Sequence, residues 1–526
     1  MTNSIAEIGD ARCILAIGTN TTEDHPVIAL EIKKAVDKGA KLIVADPRKT
    51  DLCRKANICL RHRPGSDVAL LMGMCRVIVD ENLWDKEFVE KRCENFEEFK
   101  SSLKGFELNF VSKVTGLPAA DIAQAARMYA TNRPGSILYC MGITQHSHGT
   151  DNVLAVANLA MLTGNVGKRS SGVNPLRGQN NVQGSCDMGA LPNVFTGYQP
   201  VSNASIKTKF ETAWGYTLPT EPGMVLTEMF HAVDAGKIKA MYIIGENPVL
   251  SDPDAKHIEE SLKKVEFLVV QDIFLTETAK LAHVVLPAAS FAEKDGTFTN
   301  TERRVQRVRQ AIKPIGNSKP DWQIICEIAK RMKGKGFDFA DASAIMNEIA
   351  SLTPSYGGIT YQRLDSGGLQ WPCPIEDHPG LEYLHADTFV RGKGRFAGLE
   401  FKPPRELPDA SYPLVLTTGR SLFHYHTGSM TRKTKGLVEL KSGEEVEINP
   451  QDAKTLGIAS GDKIFVVSRR GRVPAKAKVT ENLQPGVIFM TFHFAESATN
   501  MLTNPVYDPV SKTPEFKVCA VRVEKA

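Results

Sequence analysis

The chain has 526 residues, 42% of them hydrophobic, which is enough for several domains, each with its own core. Lys plus Arg number 64 against 60 Asp plus Glu, and a formal net charge of +4 argues against nucleic acid as a partner. No apolar run reaches the length of a bilayer span, the longest candidates (such as VALLMGMCRVIVD) being broken by charge, so no transmembrane segment is expected. The opening MTNSIAEIGDARC has no basic region followed by an apolar stretch, so no signal peptide is read there and a cytoplasmic location is expected. Ten cysteines are scattered with no C-x-x-C pair and no metal-ligand spacing, and reduced, mostly buried thiols are the reading they support.

In chain order, CILAI (13–17) reads as a buried strand, GTNTTEDHP as a polar turn, and PVIALEIKKAVDK as a helix with Pro26 in its first turn. KLIVAD follows as a second strand ending on Asp46, which completes a βαβ unit. KEFVEKRCENFEEFK (86–100) reads as a solvated helix face. SILYCMGITQ (136–145) is a further strand that runs into a glycine turn, and DNVLAVANLAMLTG is an apolar helix. At 239–272 the first pattern returns: KAMYIIGENPVLSDPD, a helix through HIEESLKK, then EFLVVQD, with the second strand again ending in Asp. Two related units suggest two nucleotide-type sites at the carboxyl ends of parallel strands, although neither turn carries G-x-G-x-x-G. Pro- and charge-rich text at 376–411 reads as a connection, and the short strands after it (PLVLTTGR, EEVEINP, DKIFVVSRRGRVPAKAKV, GVIFMTF) as a β-barrel over 412–526, with SRRGRV as a hairpin signal.

Between the apolar helix and Pro192 lies GVNPLRGQNNVQGSCDMG (172–189), rich in glycine and side-chain amides around a single arginine. A linker would favour Ser, Gly, Lys and Glu, whereas Asn and Gln pair a donor with an acceptor and suit the edges of a polar heterocycle. Taken singly, Arg177 also reads as a structural ion-pair partner and the first βαβ turn as a generic α/β loop. His424 and His426 in HYH have strand spacing that puts both on one face, and with no third ligand nearby in sequence they read as hydrogen bonding or packing groups. His146 and His148 read the same way.

Three motifs occurring in this order, GVNPLRGQNNVQGSCDMGALP, GRSLFHYHTGSMTR (419–432) and NPVYDPVSKTPEFKVCAVRVE, reverse those odds. Through them the chain resembles, over essentially its whole length, the catalytic alpha subunits of molybdenum- or tungsten-dependent formate dehydrogenases in the molybdopterin oxidoreductase superfamily. The resemblance implies an α/β fold: two interleaved α/β regions with mainly parallel sheets over 1–375, around two molybdopterin guanine dinucleotides, capped by the barrel. It implies contacts to one dinucleotide from Gly18, Asn20, Glu23, Asp46, Pro47, Arg48, Gly65, Asp67, Gly142 and Gln145. Gly245, Glu246, Asn247 and Asp272 take the corresponding places for the second. Gln179, and in the barrel Arg420, His424, His426, Asn500 and Lys517, are implied to touch pterin or nucleotide. Arg177 resembles the arginine that holds the substrate carboxylate. Its planar guanidinium, which keeps its charge, suits formate. The implied reaction is oxidation of formate to carbon dioxide, with hydride passing to the metal centre and electrons leaving through the pterin to an iron–sulfur cluster.

Members of that family begin with a four-cysteine domain holding a four-iron four-sulfur cluster, followed by the metal's selenocysteine or cysteine ligand with a histidine beside it. No such quartet occurs here, so the resemblance implies that cluster and ligand lie before Met1, on the same reading frame across a selenocysteine codon or on a separate partner chain. The implied partners are that cluster-bearing portion and an iron–sulfur or electron-acceptor subunit, and the chain alone is expected not to turn over. Two other readings stand beside this one. The first is another molybdopterin oxidoreductase, such as a nitrate reductase relative. The second is a non-catalytic cofactor-binding or structural chain.

Overall fold

Five short apolar segments of the first 175 residues make one parallel sheet: β1 (Cys13–Ile17), β2 (Lys41–Ala45), β3 (Ile58–Leu60), β4 (Gly135–Tyr139) and β5 (Gly172–Pro175). Their order is β3-β2-β1-β4-β5. The strands are apolar on both faces because helices cover both faces. Cys13, Leu15 and Ile17 pack toward α2 (Asp67–Asp80), α3 (Ala119–Thr131) and α4 (Gly149–Leu162), while Ile14 and Ala16 pack on Ile28, Ile32 and Ala35 of α1 (Pro26–Asp37). Pro26 sits in the first turn of α1, where its missing N–H costs nothing. Strand order reverses between β1 and β4, and in open α/β sheets ligands bind at such a switch point, beyond the carboxyl ends of the strands.

The computed structural model describes every residue from Met1 to Ala526, in two units. The sheet above belongs to the first, which comprises Met1–Leu176, Leu250–Lys256 and Tyr383–Ala526; the second is Arg177–Val249 with His257–Glu382. In the second unit, α5 (Val182–Asp187) and α6 (Leu226–Asp234) precede β6 (Ala240–Ile244), α7 (Ala255–Leu262, in this unit from His257), β7 (Phe267–Asp272) and β8 (Val284–Pro287). The three strands form a parallel sheet in which Ile243, Leu268 and Val270 pack on Phe230, Val233, Ile258 and Leu262. Antiparallel strands Gly296–Thr299, Arg304–Val308 and Leu369–Gln370 follow.

The first unit also contains a closed barrel of β9 (Leu414–Gly419), β10 (Glu445–Ile448), β11 (Lys463–Val467), β12 (Arg472–Val479), β13 (Val487–Thr491) and β14 (Cys519–Lys525), in the order β9-β13-β10-β12-β11-β14. Leu416, Val446, Ile448, Val466, Ile488 and Val521 fill it. SRRGRV is the expected hairpin, closed by Ser468 N–H on the Gly471 carbonyl at 2.9 Å between antiparallel β11 and β12. The α/β fold with mainly parallel sheets and a terminal barrel is therefore present as read from the sequence.

Three local expectations are corrected, and a fourth gains detail. Cys53 and Cys59 are joined in a disulfide, where reduced thiols were expected throughout. The turn Asp51–Arg54 followed by β3 brings their Cα atoms to 5.5 Å, within reach of a bond that sequence spacing alone does not reveal. The polar turn after β1 contains a short helix, Thr21–Asp24. The stretch at 376–411, read as a connection, packs along part of its length: Gly394–Arg395 pairs with Cys93–Glu94, and Phe396 is fully buried, stacked on Phe99 at 4.8 Å. Residues 86–100 are correspondingly more than a solvated face, since Phe88, Val89 and Phe99 join the core.

Candidate functional site

The switch point between β1 and β4 opens into a cleft. Its floor exists because two glycines meet there. Gly18, at φ +57°, follows β1; its carbonyl accepts the Gly142 N–H at 3.1 Å. A Cβ on Gly142 would stand 2.5 Å from the Gly18 carbonyl oxygen, so neither position can carry a side chain without moving backbone. Asn20, Asp46, Pro47, Arg48, Gly65, Asp67 and Gln145 also line the cleft, as do Arg420 and Lys517 from the barrel end of the same unit. Eleven of the predicted positions, Gly18 and Gly142 included, are thus gathered in one place.

The electrostatics are those of a charged, partly dry site. Burial pushes the Asp46 carboxyl up, opposed by its bond from the Arg48 N–H at 2.9 Å and by the Arg48 charge. Burial pulls Lys517 down to about 8, against the attraction of the anionic groups around it, and its ammonium donates to the Thr418 carbonyl at 2.6 Å. Arg48 bridges to the barrel: its guanidinium lies 3.6 Å from the centre of the Phe489 ring and 3.2 Å from the Glu447 carboxylate. Asp67 and His62 form a buried pair at 2.9 Å in which, against the burial of both, the carboxyl is held low and the imidazole high. Around the rim, Thr19 Oγ1, Arg48 Nε, His62 Nδ1 and His146 Nδ1 are buried without a hydrogen-bonding partner. Buried polar atoms are costly to leave unpaired, so this is the signature of a site that a polar ligand completes. Mixed carboxylates and cations around a glycine floor fit a ligand carrying both a purine-like edge and a pyrophosphate.

Other predicted residues lie differently. Glu23 is half-buried and its carboxyl is pushed up by burial, while the neighbouring Asp24 lines the cleft. His424 bonds the Lys441 carbonyl at 2.7 Å and Thr431 at 3.2 Å. It does not share a strand face with His426, because the segment turns and His426 has φ +49°. His426 lies 5.7 Å from the cleft-lining Phe492 ring, and burial beside Arg420 lowers its pKa to about 4. Asn500 spends its amide hydrogens on the carbonyls of Leu250 and Ser251, at 2.8 and 3.0 Å.

In the second unit Gly245, at φ +62°, follows β6 and bonds the Gln271 carbonyl at 2.8 Å. Glu246 and Asp272 are pushed up by burial; Asp272 also accepts the Ile273 N–H at 2.6 Å. Asn247 bonds Glu277 and both the N–H and hydroxyl of Thr278. The Arg177 N–H donates to Thr301 Oγ1 at 3.0 Å and its guanidinium reaches Cys186 Sγ at 3.6 Å, while Gln179 lies in the turn leading into α5, half-buried. No metal-ligand spacing was expected, yet His231, Asp234 and His257 bring their ligand atoms within 4.8 Å of one another. Two helices supply them, which linear spacing could not reveal. Asp234 is already engaged by His257 at 2.6 Å, Lys264 at 2.7 Å and Ser261 at 3.0 Å, a complete helix-to-helix clasp.

Sequence reasoning missed Asp24, His62, Thr418, Phe489 and Phe492 as cleft residues. Phe489 and Thr418 sit in barrel strands whose alternation reads as core, and only the His62–Asp67 spacing offered a local signal.

Comparison with known proteins follows the same outline. Residues 1–331 match the molybdopterin oxidoreductase family and residues 414–520 the molydopterin dinucleotide binding domain. The chain is 53% identical to the F420-dependent formate dehydrogenase subunit alpha of Methanocaldococcus jannaschii, over all of the chain and 78% of that protein. It is 40% identical to formate dehydrogenase H of Escherichia coli, over all of the chain and 74% of that protein. Acetylene hydratase from Pelobacter acetylenicus has the same fold, with a TM-score of 0.78 at 22% identity, covering 99% of this chain and 81% of that one. No helix is long and apolar enough to cross a membrane.

Proposed function

The chain belongs to the molybdopterin oxidoreductase family, and from that premise we propose that it is the catalytic alpha chain of a formate dehydrogenase. In this reading it oxidises formate to carbon dioxide at a molybdenum or tungsten bis-pterin centre and hands the electrons to iron–sulfur partners. The observation that carries the reading is identity of 40 to 53% with formate dehydrogenases along the entire chain. The cleft supports it independently, through orphaned buried donors gathered around a floor that only glycine can form.

Asp46 and Asp67 would face the guanine edge of one dinucleotide, and Arg48, Arg420 and Lys517 its pyrophosphate. Gly245, Glu246 and Asp272 would hold the second, and Gln179 the pterin. When bound, the metal–pterin group supplies the two-electron acceptor. Arg177 does the chain's own chemical work: its guanidinium fork grips both formate oxygens in parallel bonds and fixes the direction of the C–H bond. It needs no nucleophile beside it. Replacing Arg177 by Lys in the complete enzyme keeps the charge and removes the fork, so the KM for formate in dye reduction should rise about tenfold or more. An unchanged KM would point to another substrate.

A further inference from the structure

Ten residues after Arg177 lies a carboxylate without surface exposure, Asp187, at the last position of α5. Four neutral donors converge on it. Gln183 Nε2 at 2.8 Å and the Tyr198 hydroxyl at 2.9 Å donate to Oδ1; the Tyr356 hydroxyl at 2.6 Å and Trp371 Nε1 at 2.7 Å donate to Oδ2. A carboxylate offers about four lone-pair sites, and all are used. Burying a carboxylate costs several kcal/mol unless it is fully hydrogen-bonded, so such a group persists only where the surroundings over-determine its place. The donors come from three separate parts of the second unit: α5 itself, the turn at Tyr198, and the 356–371 stretch.

The other end of the same loop is held independently. Thr301 Oγ1 accepts the Arg177 N–H at 3.0 Å, and the Asn181 side chain accepts the Thr299 N–H at 2.9 Å. The two anchorages are linked, because Tyr356 also lies 3.3 Å from Thr299 Oγ1. Between them, Cys186, adjacent to Asp187, touches the Arg177 guanidinium. We infer that Asp187 is a positioning residue that fixes the loop bearing Arg177, and so sets how well the chain binds formate. The inference rests on the proposed role of Arg177. It also excludes a role for Asp187 as proton acceptor, since the lone pairs a substrate proton would need are taken.

The test compares Asp187→Asn and Arg177→Lys in the complete enzyme, with metal content, pterin content and melting temperature measured alongside. An asparagine keeps the Gln183 and Tyr198 bonds on one side and turns an amide N–H toward Trp371, whose indole N–H can only donate. A charge-assisted hydrogen bond lost between Arg177 and formate weakens binding by about tenfold to a hundredfold, so the formate KM should rise by that factor while the shape of the pH profile changes little. A lower melting temperature with an unchanged KM would make the network merely structural and overturn the inference. A change in the pH profile would overturn it in favour of a proton-transfer role. If Arg177→Lys leaves the KM alone, the functional reading fails and this inference with it. If Arg177→Lys raises the KM and Asp187→Asn does not, only this inference fails. Should Asp187→Asn not fold, Tyr356→Phe removes one donor; a two- to fivefold rise in KM, roughly what one neutral hydrogen bond contributes, supports the inference, and no rise overturns it.

Discussion

The turn after β1 and the turn after β6 are written in the same sequence grammar, IGTNTTEDHP and IGENPVLSDP, and each has a glycine with positive φ directly after its strand. Their side chains are spent in opposite ways. Around the first, Thr19 Oγ1 of the turn itself, Arg48 Nε after β2 and His62 Nδ1 after β3 are buried and unpartnered, and Gly18 meets the backbone of Gly142. In the second, Asn247 is tied down by Glu277 and Thr278, and a Cβ on Gly245 would meet nothing within 4 Å. A shared strand–glycine–turn pattern therefore dictates the backbone path but not whether the site's polar groups stay available. The first turn borders buried polar atoms that the protein leaves unpaired, whereas Asn247 of the second is already bonded within its own unit.

Glycine substitution gives the sharpest contrast. Gly142→Ala forces a Cβ to within 2.5 Å of a backbone oxygen, which real structures do not tolerate, so the floor of the cleft must open. We expect pterin content of the purified enzyme to fall several-fold, with stability lowered by about 3 kcal/mol or more. Gly245→Ala meets no atoms and suffers only the left-handed backbone conformation, about 1 to 2 kcal/mol, with pterin retained to a greater degree. Equal losses in both variants would erase the distinction between the two turns.

Lys517 tests the first turn from the barrel side. Its folded pKa of about 8 lies below the ordinary lysine value of 10.5, so the folded, ligand-free protein disfavours the charged form. Below about 8 both folded and unfolded states carry the proton and the penalty is constant. Between about 8 and 10.5 the unfolded chain binds more protons, so stability should rise with pH across that window, by up to roughly 3 kcal/mol. Denaturant unfolding of cofactor-free protein at pH 7.5 and about 9.5 measures it. Lys517→Met should remove this part of the rise. A pyrophosphate-bearing ligand would pull the pKa back up and flatten the same curve.

How far these sites could be read from sequence depends on the distance over which each is encoded. Strand–helix–strand order, Pro26 in the first turn of α1 and the SRRGRV hairpin are local and were legible. Gly18, Asp46 and Arg48 were named through the family resemblance, and they line the cleft because they follow strand ends, where α/β ligands sit. The barrel's share was legible only through family motifs, since nothing in LVLTTGR or VIFMT distinguishes Thr418 or Phe489 from ordinary core. The burial of Phe396, the Cys53–Cys59 bond and the His231–Asp234–His257 clasp depend on segments meeting in space, for which one sequence has no periodicity to show. The shared strand face of His424 and His426 fails for the same reason, although His424 is a hydrogen-bonding group as read: i, i+2 spacing implies one face only where the backbone is extended, and at His426 it is not.

The smallest effect separates the turns most cleanly, by exchanging stability for ligand retention. Asn247 makes three side-chain hydrogen bonds to the segment that follows β7, with Glu277 Oε2 at 2.8 Å, Thr278 N at 3.1 Å and Thr278 Oγ1 at 2.7 Å. Asn20 accepts one, from the Thr22 hydroxyl at 2.9 Å, and otherwise faces the cleft. Removing a buried amide that satisfies several partners costs about 1 to 3 kcal/mol, because the partners are left unpaired; removing one half-exposed acceptor costs a few tenths. Asn247→Ala should therefore lower the denaturation midpoint of cofactor-free protein measurably, while Asn20→Ala leaves it nearly unchanged. The order reverses when pterin is counted after gel filtration, with Asn20→Ala losing more per unit of stability lost. Both assays are needed, since a variant that unfolds also drops its ligand. If Asn20→Ala retains pterin as wild type does while Asn247→Ala sheds it at unchanged stability, the second turn is the one completed by ligand, and the contrast between the two runs the other way.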